Sequence, residues 1–318
     1  MNFSITEEWQ EGLRLYRIRE QTTGCSCSLL PDYGALLHEW KIPHQHSEWN
    51  LIDNYPTQSL LEKELALSYK SAKLSPFVCR ITKGQYYWQG RSYEFKNKFL
   101  DGSAIHGLLF NKPFSFIDTK AEANKAAITL AYEYRAEDPG YPFHYSCSVT
   151  YSLHPDQHLH LQTTIRNLGP AELPIADGWH PYFQLGGTID EYTLAIQADQ
   201  VLEFTEQLVP TGRLQRQANL EQPFSLQQKS YDHCFLIKTS SARPVCTLTN
   251  PNSNLRMEIS TDHHYPYLQV YTPPHRRSIA LENLSSAPDC FNNKIGLLTL
   301  APGQTQTFQV SYKASLLR

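Results

Sequence analysis

The sequence predicts an all-β protein, a large antiparallel β-sandwich, and hydrophobic alternation is the main reason. Apolar side chains recur at every second position over 128–134, 143–151 and 159–165, which is typical of strands with one buried face. A further strand is predicted over 308–312, after a Pro-Gly turn. Repeats, flexible linkers and shifts in composition do not divide the 318 residues, so we expect one domain over 1–318.

Turn residues connect some of these strands into hairpins, and one segment predicts a helix. The sequence His-Pro-Asp-Gln at 154–157 interrupts two alternating runs, which predicts a hairpin over 143–165. Gly90 plays the same part between two aromatic runs. Ser59, with Glu62 three residues later, has the pattern of a capping box and predicts that one short helix begins there.

Composition and charge exclude several classes of protein. A formal net charge of -3 provides no basic field for a phosphate backbone, so we expect no nucleic-acid partner. Apolar runs such as 295–300 are far shorter than the roughly 20 residues that span a bilayer, so no membrane segment is expected. Residues 1–8 are acidic and lack the features of a signal peptide. The seven cysteines, including Cys25 and Cys27, show no CxxC spacing, which favours free thiols and a cytoplasmic location.

The strongest local signal is the sequence Asp-Gly-Trp-His-Pro-Tyr-Phe at 177–183. Pro181 restricts His180 to extended backbone and keeps this point out of a central strand ladder, so His180 is predicted at a strand end or pocket rim. An isolated histidine is more often an ordinary surface residue. Trp179 and Tyr182 favour a functional site instead, because aromatic faces suit the apolar side of a pyranose ring.

Two further residues are candidates for chemistry. His106 precedes Gly107, and a glycine there allows a positive φ or a close backbone approach. Glu282 follows Ile279 and Ala280, which have the character of a strand core. A carboxylate that emerges from a buried strand is costly unless it is paired or functional, so Glu282 is a candidate site residue.

Other kinds of site find less support in the sequence. Three pairs of histidines could suggest a metal site: His44 with His46, His158 with His160, and His263 with His264. The first two pairs lack a nearby third ligand and adjacent strand residues face opposite ways, so no metal is expected. GxSxG, GxGxxG and Walker patterns are missing, which leaves serine-nucleophile and nucleotide chemistry without support. A glycosidase stays open, because sequence does not show the separation of two carboxylates.

Several short segments, taken in order, resemble the aldose 1-epimerase family over about residues 20 to 312. Their order along the chain matters more than any one of them, and the HPYF block combined with a late glutamate is the most specific element. The segments are PFVCRI at 76–81, IHG at 105–107, HPYF at 180–183, YDH at 231–233, LE at 281–282 and PD at 288–289.

This resemblance implies a galactose-mutarotase-like supersandwich and a set of site residues. The matching positions imply that His180 is a general acid and Glu282 a general base. They further imply that Arg80, His106 and Asp232 hold the hydroxyl groups of a sugar.

The chain also departs from the family at two positions. Cys79 stands before the arginine where the family commonly has asparagine. Leu108 stands after the His-Gly pair where the family often has a second glycine. Both positions adjoin groups implied to hold hydroxyls, so they bear on the choice of sugar.

The implied reaction interconverts the α and β anomers of an aldose. It removes the proton of the C1 hydroxyl and protonates the ring oxygen, so one base and one acid suffice and no cofactor is expected. Glu282 is expected to be ionised at neutral pH, and His180 to be protonated if a carboxylate lies close. The expected partner is a small aldose sugar, and the chain is expected to be a monomer or a homodimer.

Two other functions remain open at this stage. A hexose-6-phosphate mutarotase would need cationic groups for the phosphate, which Arg276 and Arg277 could supply, although the two could equally form an exposed turn. A non-catalytic carbohydrate-binding protein would keep the aromatic residues and lose the acid or the base. This chain has candidates for both, which favours catalysis.

Overall fold

The computed structural model describes residues 2–45, 47–238 and 243–317. His46, one of the paired histidines considered above, lies outside these residues. Strands predominate within them, accompanied by two short α-helices and two single 3-10 turns, which confirms the predicted all-β class. No helix in the described part of the chain is both long and apolar enough to cross a membrane.

The elements are numbered in chain order. The first strands are β1 Phe3–Gln10, β2 Leu13–Glu20, β3 Ser26–Leu30, β4 Leu36–His44, β5 Ser47–Asn50, β6 Lys73–Leu74, β7 Arg80–Ile81, β8 Gln85–Trp88, β9 Arg91–Glu94 and β10 Ala104–Ile105. The next are β11 Ser115–Ala121, β12 Ala126–Arg135, β13 His144–His154, β14 His158–Asn167, β15 Leu173–Ile175, β16 Gly178–Trp179, β17 Tyr182–Phe183, β18 Thr193–Ile196 and β19 Ala198–Phe204. The last are β20 Pro210–Arg216, β21 Phe224–Ser225, β22 Asp232–Ile237, β23 Cys246–Asn250, β24 Leu255–Thr261, β25 Tyr267–Tyr271, β26 Ile279–Leu284, β27 Leu298–Leu300 and β28 Thr305–Leu316. The helices are α1 Gln58–Ser68 and α2 Cys290–Asn293, and the 3-10 turns are Thr82–Gly84 and Ile189–Glu191.

Three large antiparallel sheets build the fold, and the pairs β7–β10, β8–β9 and β15–β27 form three small ones. The strands β1 to β5 form a five-stranded sheet in sequence order. Nine strands form the second sheet, in the order β11-β12-β13-β14-β28-β24-β23-β18-β21. The third, eight-stranded sheet has the order β20-β19-β22-β25-β26-β16-β6, with β17 also paired to β26.

The core lies between the nine-stranded and the eight-stranded sheet. The ring of Tyr312 in β28 packs edge-on against Phe183 in β17, with centroids 5.3 Å apart. Tyr151 in β13 makes the same kind of contact with Trp179 in β16, at 5.9 Å. Because β13 and β28 belong to one sheet and β16 and β17 to the other, these contacts join two layers, and the predicted sandwich is confirmed.

The burial of the strands follows their sequence. Half-buried and buried residues alternate strictly along His144–His154, as the period of two predicts. All six residues of Ile279–Leu284 are buried instead, which is typical of a strand with protein on both faces. Glu282 is therefore a carboxylate inside a strand that water hardly reaches.

The predicted hairpins are confirmed, and the start of the predicted helix is corrected. Strands β13 and β14 pair up to His154 opposite His158, and β8 pairs with β9 on either side of Gly90. The helix begins with Thr57 as its N-cap, whose hydroxyl accepts a hydrogen bond from the Leu60 N–H at 3.2 Å. Ser59 lies inside this helix, because the chain is already helical where the capping box was predicted to begin.

The cysteines are free thiols, as the sequence predicted. All seven are unpaired, and Cys79 is the exception to their full burial. Burial raises the pKa of Cys25 to about 12 and so disfavours its reactive thiolate form. Cys79 lines the pocket described below.

A buried ion pair ties β6 to the residues around β16. Lys73 Nζ lies 2.6 Å from the Asp177 carboxylate, and both side chains are fully buried. The same ammonium donates to the Gly178 carbonyl at 3.1 Å and sits 4.5 Å from the centroid of the Trp179 ring. The Tyr265 hydroxyl donates to the Asp177 carboxylate at 2.6 Å, so both charges have several partners.

We expect Lys73→Met to lower the free energy of unfolding by about 3–5 kcal/mol, because it leaves the buried carboxylate of Asp177 without its counter-charge. Urea unfolding followed by tryptophan fluorescence measures the change. Lys125→Met is the matched control, since Lys125 is a half-exposed surface lysine 3.9 Å from Glu122 and its loss should change stability little. Equal effects of the two substitutions would contradict the prediction.

Candidate active site

A pocket of about 430 Å³ opens beside β25 and β26, within the usual size range for small-molecule sites. Glu282 enters it from β26, and Gln269 and Tyr271 enter it from β25. The structure thus brings together six of the seven residues singled out from the sequence. These are Arg80, His106, His180, Tyr182, Asp232 and Glu282.

Trp179, the seventh candidate, does not line the pocket. Its side chain is buried against Tyr151 and the ammonium of Lys73. Successive side chains of extended backbone face opposite ways, so placing His180 in the pocket turns Trp179 into the core. The expected sugar-stacking role of Trp179 is corrected to a packing role.

His180 and Glu282 face each other at the base of the pocket. His180 Nε2 lies 3.3 Å from Glu282 Oε1, and both side chains are almost completely buried. The backbone of His180 is held on both sides, since its N–H donates to the Ala72 carbonyl at 3.1 Å and its carbonyl accepts from the Ser71 N–H at 2.8 Å. Tyr182 stacks on the imidazole, with ring centroids 5.1 Å apart. The ring of Tyr182, two residues further along the chain, therefore orients the His180 imidazole.

His106 reaches the same place from a strained turn. Its φ is +58°, and that of Gly107 is +78°. A Cβ on Gly107 would clash with the backbone of Ser75, so the close backbone approach that a glycine allows is confirmed. The imidazole of His106 packs between Tyr69 at 4.6 Å and His180 at 4.8 Å, measured between ring centroids. The turn thus directs His106 at the catalytic candidates.

Arg80 and Asp232 lie in the pocket as charged residues with partners. The guanidinium of Arg80 forms an ion pair with Asp101, and Asp232 accepts a hydrogen bond from Gln269 Nε2 at 2.6 Å. Asp289, from the segment PD, donates its N–H to the Arg80 carbonyl at 2.8 Å. That segment therefore fixes the backbone that carries Arg80.

The two departures from the family differ in their structural consequences. Cys79 has a φ of +49°, in the left-handed region that asparagine tolerates better than most residues. Leu108 has no positive φ, and its N–H donates to the Ser75 carbonyl at 2.7 Å. Leucine is thus accommodated at 108 without backbone strain, whereas Cys79 places a thiol in a strained position at the pocket wall.

Sequence reasoning missed Gln269 and Tyr69. Gln269 lies directly opposite Glu282 in the ladder between β25 and β26, where it is almost fully buried. A polar residue within the apolar run of Tyr267–Tyr271 was the available signal. Tyr69 has no such signal, because its place beside His106 depends on how the end of α1 packs.

The aldose 1-epimerase family model matches residues 15–313, nearly the whole chain. The chain belongs to the aldose 1-epimerase family. This confirms the resemblance carried by the short segments, and it places the protein in a family of isomerases.

Individual relatives agree with this assignment. The chain is 30% identical over 250 residues to the uncharacterized protein YihR of Escherichia coli K12, covering 76% of this chain and 78% of YihR. It is 24% identical over 265 residues to an aldose 1-epimerase of Haemophilus influenzae, covering 76% of this chain and 74% of the relative. A galactose mutarotase-like protein from Clostridium acetobutylicum has the same fold, with a TM-score of 0.88 at 18% identity over 99% of both chains.

Burial opposes the charge states that were expected from the sequence, an ionised Glu282 and a protonated His180. Desolvation, followed by the charge of Asp232, raises the pKa of Glu282 well above 4.5. Desolvation also lowers the pKa of His180 to about 4. The protein groups around the pocket therefore favour a neutral carboxylic acid beside a neutral imidazole, because separated charges lose their water without gaining enough partners.

Several buried polar atoms in the site lack a protein partner. They include His106 Nδ1, His180 Nδ1 and Glu282 Oε2. An unsatisfied buried polar group costs about 1–3 kcal/mol, so a concentration of them is expected where a ligand supplies the missing hydrogen bonds. Among the described residues, His106, His180 and Glu282 also form a group of possible metal ligands, with one donor atom from each within 4.8 Å of the others.

We expect the imidazole of His180 to stay neutral at pH 7 in the free protein and to take up a proton only near pH 4, because burial lowers its pKa from 6.5. Histidine ring ¹⁵N NMR over a pH series measures this, and His180→Asn identifies the resonance. A His180 imidazolium at pH 7 in the absence of sugar would show that the charge of Glu282 outweighs desolvation.

Proposed function

We propose that the protein is an aldose 1-epimerase that interconverts the α and β anomers of an uncharged hexose, with Glu282 as base and His180 as acid. The observation that carries the proposal is the buried pair itself, 3.3 Å apart at the base of a pocket of sugar size. A base and an acid in contact with one substrate are what ring opening requires.

In the proposed reaction, the Glu282 carboxylate takes the proton of the C1 hydroxyl while the His180 imidazolium protonates the ring oxygen. The bond between C1 and the ring oxygen breaks, and an open-chain aldehyde forms. After rotation about C1–C2, the C5 hydroxyl adds to the other face of the aldehyde. His180 then takes the C5 hydroxyl proton and Glu282 returns a proton to the carbonyl oxygen, so the pair regains its starting state.

A neutral Glu282 beside a neutral His180 is compatible with this scheme. It contains the same number of protons as a carboxylate with an imidazolium, and one transfer across the 3.3 Å gap interconverts the two forms. A bound sugar brings hydroxyl groups that hydrogen-bond to the charged form, which offsets the loss of water. Substrate binding therefore favours the reactive charge state.

Other pocket residues fit roles in holding the substrate. Arg80 and Asp232 offer charged donors and acceptors for hydroxyl groups, and His106 adds an unpartnered ring nitrogen. Tyr182 provides an aromatic surface next to His180. These groups bind rather than react, so the non-catalytic alternative would use them without the Glu282 and His180 pair.

The charge balance of the pocket favours an uncharged hexose over a hexose 6-phosphate. Arg276 does not line the pocket, because two of its nitrogens bind Asp190 at 2.9 and 2.7 Å. Arg277 does line it, together with Lys70. The ammonium of Lys70 is paired with Asp53 at 2.8 Å, so its charge is already compensated.

We expect kcat/KM for glucose 6-phosphate to be at least about tenfold below that for glucose, or about 1.4 kcal/mol, because the phosphate meets too few free cations. NMR exchange between anomers, corrected for the buffer rate, measures both sugars. Arg277→Gln should leave the glucose rate unchanged. A preference for the phosphorylated sugar that disappears in Arg277→Gln and persists in Arg276→Gln would establish the phosphate alternative.

Glu282→Gln and His180→Asn should each lower kcat by roughly 10²–10⁴-fold, because each removes one proton-transfer group. KM should change much less, since the hydroxyl-binding residues remain. Polarimetry on α-glucose and α-galactose, with protein freed of metal by EDTA, measures these values.

Glu62→Gln is the control for the same chemical change at an exposed glutamate of α1. The double variant of Glu282 and His180 should be only slightly slower than either single variant, because the two act as one relay. If Glu282→Gln keeps a near-normal kcat, the proposed base lies elsewhere.

A further inference from the structure

Three buried side chains at the base of the pocket have the chemistry of a metal site. The exposed fractions of His106, His180 and Glu282 are 8%, 5% and 2%. His106 Nδ1, His180 Nδ1 and Glu282 Oε2 have no protein partner, while the other donor atoms of the pair, His180 Nε2 and Glu282 Oε1, lie against each other. Two imidazoles and one carboxylate are the donors that zinc uses in protein sites with one open position.

Their geometry is close to that of such a site. In tetrahedral zinc with bonds of about 2.0–2.1 Å, neighbouring ligand atoms lie about 3.3–3.4 Å apart. The 3.3 Å between His180 Nε2 and Glu282 Oε1 already matches that spacing. The donor atoms of all three residues lie within 4.8 Å, so a movement of about 1.4 Å at most, shared between side chains, completes the set.

The charges around the three ligands also suit a dication. Asp232 lies close enough for its charge to act on Glu282. Two of the cations that line the pocket are already paired with carboxylates, Arg80 with Asp101 and Lys70 with Asp53. A bound divalent ion displaces the proton of Glu282 and stabilises the ionised carboxylate in this desolvated pocket, which offsets the repulsion from Asp232.

We propose that His106, His180 and Glu282 bind one Zn²⁺ ion reversibly, and that the bound ion and the sugar exclude each other. The metal coordinates the same atoms of Glu282 and His180 that would contact the anomeric centre of the sugar. The exclusion of sugar rests on the proposed function, whereas metal binding rests on the three side chains alone. Zinc is then an inhibitor of the enzyme and not its cofactor.

Metal binding is tested on EDTA-treated, dialysed protein by titration with Co²⁺, whose visible absorption reports four-coordinate geometry, followed by displacement with Zn²⁺. We expect one ion per chain. His106→Ala, His180→Asn and Glu282→Gln should each weaken binding by at least about 100-fold, more than the 10–100-fold typical of a residue that only supports a ligand. Thermal unfolding of each variant verifies that it is folded.

A second group of histidines provides the matched control. His154, His158 and His160 lie together on the hairpin of β13 and β14, with the ring of His154 5.6 Å from that of His158 and 6.5 Å from that of His160. The double variant His154→Asn with His158→Asn should bind one Co²⁺ as tightly as wild type. If this variant loses the ion and the three pocket variants retain it, the site belongs to the hairpin and the proposal is overturned.

Competition with sugar separates this proposal from the proposed function. Galactose or glucose should raise the apparent Kd of Zn²⁺ in proportion to sugar concentration, and Zn²⁺ should raise KM without lowering kcat. Absence of stoichiometric binding overturns the metal site and leaves the polarimetric assay of the acid and base unaffected. If Zn²⁺ binds tightly through the three residues and its apparent Kd does not change with sugar, the mutual exclusion is overturned. The proposed position of the sugar beside Glu282 and His180 is then overturned as well.

Discussion

The buried ion pair between Lys73 and Asp177 supports the architecture around the pocket. Lys73 lies in β6 and Asp177 just before β16, and β16 pairs both with β6 and with β26, the strand that carries Glu282. The backbone carbonyl of Asp177 accepts a hydrogen bond from the Ser285 N–H. The backbone N–H of Asp177 donates to the Ser285 hydroxyl at 2.8 Å. This cluster fixes the relative positions of β16 and β26, and therefore the 3.3 Å between His180 and Glu282. Breaking the ion pair would leave a buried charge without its counter-charge.

Burial of Glu282 and His180 determines both their surroundings and their pKa values. The strand of Glu282 has protein on both faces, so its carboxylate is deprived of water. The same desolvation that raises the pKa of Glu282 lowers that of His180 and leaves ring nitrogens of both histidines unpartnered. A ligand with several hydroxyl groups, or a single dication, relieves these costs. The pocket therefore suits a polar ligand, and its selectivity depends on the direction of each unpartnered atom.

Local backbone strain adds a second constraint. Cys79, His106 and Gly107 all have positive φ within two neighbouring segments that are joined by a 2.6 Å hydrogen bond from the His106 N–H to the Cys79 carbonyl. Such conformations persist only where the surrounding structure enforces them, and they are concentrated at functional sites. Here they bring a histidine and the arginine after Cys79 to one wall of the pocket. The positive φ at position 79 does not itself require a cysteine, so the thiol is a separate feature of this chain.

The sequence alone determined the strand class and the 143–165 hairpin, because side-chain alternation is a property of the chain itself. The roles of His180 as acid and Glu282 as base were implied by the resemblance of short segments to the aldose 1-epimerase family, and they stay predictions. It could also indicate that Gly107 permits a positive φ or a close backbone approach, whereas only the tertiary structure showed that the approach is to Ser75. Only the tertiary structure decided that Trp179 packs into the core and that Arg277 reaches the pocket while Arg276 does not. It also decided the burial of Glu282 and His180, which raises the pKa of the first and lowers that of the second. Side-chain direction and desolvation depend on atoms brought together from strands far apart in the chain, and no local pattern encodes them.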